Sequence, residues 1–114
     1  MRMMPHVTTL QEAVQEVIRS NQADGYPPTR FIQMTEHGHA DNLVSICQRI
    51  ILKGETLEAI ERALASHPNL LTIEDFVARY GGAWGMSEDV IRSAVERVRY
   101  FDQLAGRQRF ADAD

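Results

Sequence analysis

The sequence predicts an all-α fold, a single compact domain built from five or six short helices. Apolar residues recur at spacings of three and four in each of the longer segments. Capping residues, glycines and prolines punctuate those segments at regular intervals. No run alternates cleanly between apolar and polar residues, as a half-buried strand would.

The first helix opens at Thr9 and Glu12, a capping box in which each side chain satisfies an otherwise unpaired backbone amide. Leu10, Ala13, Val14, Val17 and Ile18 then mark one face. Gly25 and the pair Pro27–Pro28 end that helix and start the next, because proline's missing amide hydrogen has no partner in a first turn anyway. The second helix is expected from about Pro28 to His37, with Phe31, Ile32 and Met34 inward, although the Thr, Phe and Ile of residues 29–35 also suit a strand. Asp41 caps a third helix, and Gly54 stops it. The apolar arc of Leu43, Val44, Ile46, Cys47, Ile50 and Ile51 makes it the expected centre of the domain.

Thr56 opens a fourth helix, with Leu57, Ile60 and Leu64 inward, and Pro68 ends it. Thr72 and Asp75 form a second capping box for the fifth, with Leu71 and Phe76 placed as a hydrophobic staple and Gly81–Gly82 closing it. After a loop at 81–86, Ser87 caps the last and longest helix. Its first turn carries Glu88 and Asp89, which the helix dipole favours there. Its stripe is Val90, Ile91, Ala94, Val95, Val98 and Phe101, and Gly106 ends it. Residues 1–106 are thus read as one helical domain, and residues 107–114 as a frayed tail.

Composition narrows the function classes. The chain has 114 residues, 44% apolar and 25% charged, the mix of one globular domain. Twelve basic against sixteen acidic residues give a net charge of −4, which argues against general affinity for nucleic acid or anionic lipid. Lys53 is the sole lysine beside eleven arginines, a bias that points to a GC-rich genome. The lone Cys47 lies in an apolar run and reads as a buried structural thiol. Leu43–Leu52 is too short and too polar to span a bilayer, so the expected setting is the cytoplasm, with no membrane contact.

Three motifs, Tyr26, Pro28, Thr29, Phe31, Met34 and Gly38, then Leu71, Thr72, Glu74 and Val77, then Glu88, Asp89, Ala94, Arg97 and Tyr100, together resemble an uncharacterised helical domain found in many bacterial proteins. The likeness spans Tyr26 to Phe101, with His39 where that family has a second glycine. It implies a helical fold and a bacterial origin, and no mechanism.

No catalytic constellation and no cofactor-binding motif emerges, so the chain is expected not to be an enzyme. The acid pairs Glu74–Asp75 and Glu88–Asp89 read as helix-start residues. His37, His39 and Asp41 are weak metal-ligand candidates, each explained as well by helix ends and caps. Trp84, between glycines, is the first choice for a partner contact, with plugging of the helical core as its alternative. Tyr26 and Arg30, beside the rigid Pro27–Pro28 turn, come second. The expected role is a protein-interaction module, an adaptor or accessory subunit, with an unknown partner or through self-association. The alternative is a nucleic-acid-associated regulator that uses the last two helices as a helix-turn-helix, with Arg92, Arg97 and Arg99 as its contacts. Arg107 and Arg109 add to the positive charge at that end.

Overall fold

The computed structural model describes residues 2–36 and 42–110. Six α-helices lie in these residues: α1 Leu10–Ala23, α2 Thr29–Thr35, α3 Leu43–Lys53, α4 Leu57–Ser66, α5 Ile73–Tyr80 and α6 Glu88–Ala105. The only β-type pairing among the described residues that stands outside them is an isolated parallel bridge from Arg2 to Phe110. The domain is all-α and compact, with a Cα radius of gyration of 12.8 Å.

Local chemistry sets most helix ends. The Thr9 hydroxyl accepts from the Glu12 amide at 3.2 Å, and the Glu12 carboxylate accepts from the Thr9 amide at the same distance. The Ser87 hydroxyl accepts from the Val90 amide at 3.3 Å to start α6. Gly54 closes α3 with a left-handed φ of 62°, a conformation in which a side chain would be strained. At Thr72 the amide donates to Asp75 Oδ2 at 2.9 Å, as the second capping box requires. Two boundaries differ from expectation. α2 ends at Thr35, and the residue at the N-cap position of α3 is Asn42, while the expected Asp41 lies outside the described residues. Thr56 stands at the start of α4, yet its hydroxyl makes no capping bond.

Two apolar clusters fill the interior. The larger joins Leu10, Val14 and Val17 of α1 to Cys47, Ile50 and Ile51 of α3, to Phe76 and Val77 of α5, and to Val90 and Ala94 of α6. The smaller gathers Ala63, Leu64, Leu70 and Phe101, with Tyr26 and Ile60 packed against it. Phe76 and Phe101 are fully enclosed, so truncating either to alanine costs about 3–5 kcal/mol.

The centre of the domain is α5 rather than α3. Every residue from Leu71 to Val77 is buried, whereas α3 exposes Ser45, Arg49 and Leu52. The expectation failed because Glu74 and Asp75 make α5 look half-solvated, when both carboxylates are internal. α5 packs closely on α6: a Cβ at Gly81 would come within 2.6 Å of the Val77 carbonyl oxygen and 2.9 Å of Ile91 Cγ1.

The chain beyond α6 corrects a second expectation. Arg107 is buried and Phe110 belongs to the larger core. Residues 107–110 therefore fold back over α5 instead of fraying, held by ionic and apolar contacts that no local pattern encodes.

Candidate functional site

α5 carries two internal acids on consecutive residues, and they face different surroundings. The Asp75 carboxylate receives Arg107 bidentately, at 2.7 Å on Oδ1 and 2.8 Å on Oδ2, and also accepts from the Thr72 amide and hydroxyl. Arg107 completes its own set with Asp102 Oδ1 at 2.7 Å and the Leu70 carbonyl at 2.9 Å. Neither residue leaves a buried side-chain nitrogen or oxygen without a partner, as a buried ion pair needs if it is not to destabilise the fold.

Glu74 is different. Its residue is 0% exposed, Oε2 accepts from Arg97 Nη1 at 3.2 Å, and Oε1 has no hydrogen-bond partner in the protein. Burial pushes this carboxyl above the usual range, against the opposing pull of its own backbone amide and of Arg97. Thr56, 4% exposed, likewise has a hydroxyl without a partner. Both residues line one pocket between α1, α2, α4 and the start of α5, with an interior volume of about 30 Å³. Asn21 fixes one wall by donating to the Leu71 carbonyl at 2.9 Å. A concave site with apolar walls and a few unsatisfied polar groups has the form of a ligand site.

Tyr26 and Arg30 line the same pocket. Tyr26 is half-buried, its ring 5.9 Å from that of His67, and its backbone amide donates to the Asn21 carbonyl at 2.9 Å. Arg30 is exposed and donates from Nε to the Glu55 carbonyl at 3.1 Å. Trp84 lies elsewhere. It is half-buried against the larger core, its ring 5.7 Å from Tyr80, and its indole N–H donates to the Thr8 carbonyl at 3.0 Å. The ring thus packs on the core and also edges a separate groove with Leu43 and Val44.

The arginines of α6 do not form one surface. Arg92 is exposed and pairs with Asp89 at 3.2 Å. Arg97, with a side chain 15% exposed, turns inward to Glu74. Arg99 and Arg109 are exposed and edge a different groove, between α5 and α6. Arg107 is interior. Among the described residues no group of three His, Cys, Asp or Glu side chains is placed to hold a metal ion, and His37, His39 and Asp41 lie outside those residues.

Sequence reasoning missed Glu74, Thr56 and Arg97 as one constellation. A signal for two of them exists. Glu74 stands at helical spacing between Leu70 and Val77, and Arg97 between Ala94 and Phe101, so each charge sits on an apolar face. Comparison with protein-family models, with curated proteins and with solved structures finds no match for this chain.

Proposed function

We propose that this chain is a non-enzymatic protein-interaction module, an adaptor or accessory subunit of the bacterial cytoplasm, and that it acts through the corner edged by Tyr26 and Arg30. The observation that carries this reading is their convergence: two residues suited to partner contact for their chemistry line one pocket. An aromatic ring and a guanidinium beside a concavity are the usual anchors of a protein contact. The Pro27–Pro28 turn and the Arg30 bond to Glu55 hold the corner in place, which lowers the ordering cost of binding. Trp84 fits a contact role less well, since its one polar group is already engaged within the fold. No helix among the described residues is long and apolar enough to cross a membrane. Burial, with the charge of Glu74, pushes the Cys47 thiol up to about 12, which keeps it protonated and unreactive.

The test is capture of partners from host lysate with and without nuclease, followed by reconstitution with the purified partner. The expected result is a complex that survives nuclease and loses at least tenfold in affinity with Tyr26→Ala or Arg30→Glu, at an unchanged melting temperature. Trp84→Ala is expected to lower the melting temperature and leave the affinity of the folded fraction intact. A complex that vanishes with nuclease, or that both corner variants bind as the parent does, overturns the reading.

A further inference from the structure

The inner end of the Tyr26–Arg30 pocket has a chemistry of its own. Glu74 Oε1 is a carboxylate oxygen with an unused acceptor site. Thr56 Oγ1 belongs to a helix-start threonine whose hydroxyl is not spent on capping, so its proton needs an acceptor. Both residues are more than nine-tenths buried and line the same space. An unmade bond on such a group costs about 1–3 kcal/mol, so whatever satisfies both at once gains from each. The space, about 30 Å³, admits roughly two or three water-sized atoms.

Charge narrows the class. Glu74 is already paired with Arg97, and Arg30 lines the pocket, so a second cation would share a carboxylate whose charge is already balanced and meet the Arg30 guanidinium. An anion meets the Glu74 carboxylate. What remains is a small neutral group that donates on one side and accepts on the other.

We propose that this pocket is a primary-carboxamide site, in which the amide N–H donates to Glu74 Oε1 and the amide carbonyl accepts from the Thr56 hydroxyl. The inference rests on the interaction reading for the corner and names what that corner recognises. A planar amide matches the two groups with one donor and one acceptor and carries no charge to desolvate. The amide can come from an Asn or Gln side chain of a partner or from a free small amide.

Three probes of one shape and three charges test it: acetamide, acetate and acetamidinium, titrated into the intact protein while methyl resonances are followed by NMR. Ile60 and Leu70 line the pocket, and Leu52 and Leu104 are exposed controls outside it. The expected result is saturable, millimolar binding of acetamide that moves the methyls lining the pocket, Ile60 and Leu70 among them, and leaves Leu52 and Leu104 in place, with acetate and acetamidinium at least tenfold weaker. Thr56→Val, which keeps the shape and removes the hydroxyl, should weaken acetamide by roughly threefold to tenfold at an undiminished melting temperature. Glu74→Gln should weaken it similarly and narrow its preference over acetate. Tighter binding of a capped glutamine residue than of free glutamine assigns the amide to a partner's side chain, and the reverse assigns it to a free molecule; both uphold the site. Equal shifts from all three probes, shifts that never saturate, or parent-like binding by Thr56→Val overturn it. The two readings fail separately: acetamide binding with partner capture indifferent to Tyr26 and Arg30 sinks only the interaction module, and the converse sinks only the amide site.

Discussion

Asp75 and Glu74 are neighbours in the chain, both in the first turn of α5, both internal and both paired with an arginine. The pairs are nonetheless built to different standards. Asp75 and Arg107 share a bidentate contact whose side chains are 1% and 0% exposed, and Thr72, Asp102 and Leu70 add bonds to the pair so that each of its side-chain nitrogens and oxygens has a partner. Glu74 has a single contact at 3.2 Å to an arginine that still reaches the surface, and one oxygen is left over. The first arrangement fixes the position of the chain after α6. The second holds a charge inside a pocket and keeps part of its bonding capacity available. Burial alone does not distinguish the two charges; the satisfaction of their hydrogen-bonding atoms does.

Removing the arginine from each side sharpens this contrast. Arg107→Met strands the Asp75 carboxylate in the interior and frees the segment leading to Phe110. It should cost about 3–5 kcal/mol in urea-denaturation stability. A loss under 1 kcal/mol would mean that the Asp75 side is no better tied than the Glu74 side. Arg97→Met should cost less, about 1–2 kcal/mol, because a carboxyl whose proton affinity is already raised by burial can take up a proton instead.

The smallest effect is the most specific. Glu74 binds its proton more tightly in the folded chain than in the unfolded one, where 4.5 is the ordinary value. Its contribution to stability is therefore fully present below that value and is lost as pH rises through the raised folded one. Glu74→Gln should change stability at neutral pH by no more than about 1 kcal/mol and abolish this downward slope. Subtracting the two pH–stability curves isolates the group from other carboxylates. Glu16, held below the usual range by its hydrogen bond to Arg19, slopes the opposite way and cancels in the difference. A difference curve that is flat above pH 4.5 would show that Arg97 compensates the burial of Glu74 in full.

How much of this was legible follows the distance over which each signal acts. The caps at Thr9, Ser87 and Gly54 and the apolar faces of α1 and α6 arise within one or two turns, and the sequence carries them openly. The corner residues Tyr26 and Arg30 were legible as chemistry, though nothing local says that they share a pocket with Glu74, some forty-odd residues on. Arg107 meets Asp75 across 32 residues, and its charge together with the glycine before it made the segment read as solvent-loving. The order of 107–110 is supplied by tertiary pairing, which a periodicity argument does not see. Glu74 was read as a helix-start acid for the same reason. That reading holds for Glu88 and Asp89, which are exposed, and not for Glu74, whose face is set by the helices packed around it.

The bridge between Arg2 and Phe110 brings the first and last of the described residues together. The Arg2 amide donates to the Arg109 carbonyl at 3.4 Å, and its guanidinium lies 3.9 Å from the centre of the Phe110 ring. Strands of chain that meet in this way can be joined and the backbone reopened elsewhere with little change in the packed interior. The exposed turn at Gly82 and Ala83, remote from the pocket's lining, is the natural new opening. A permuted chain of that design would carry its ends on the Trp84 side, leaving the Tyr26–Arg30 corner clear for a fused reporter to be read against binding.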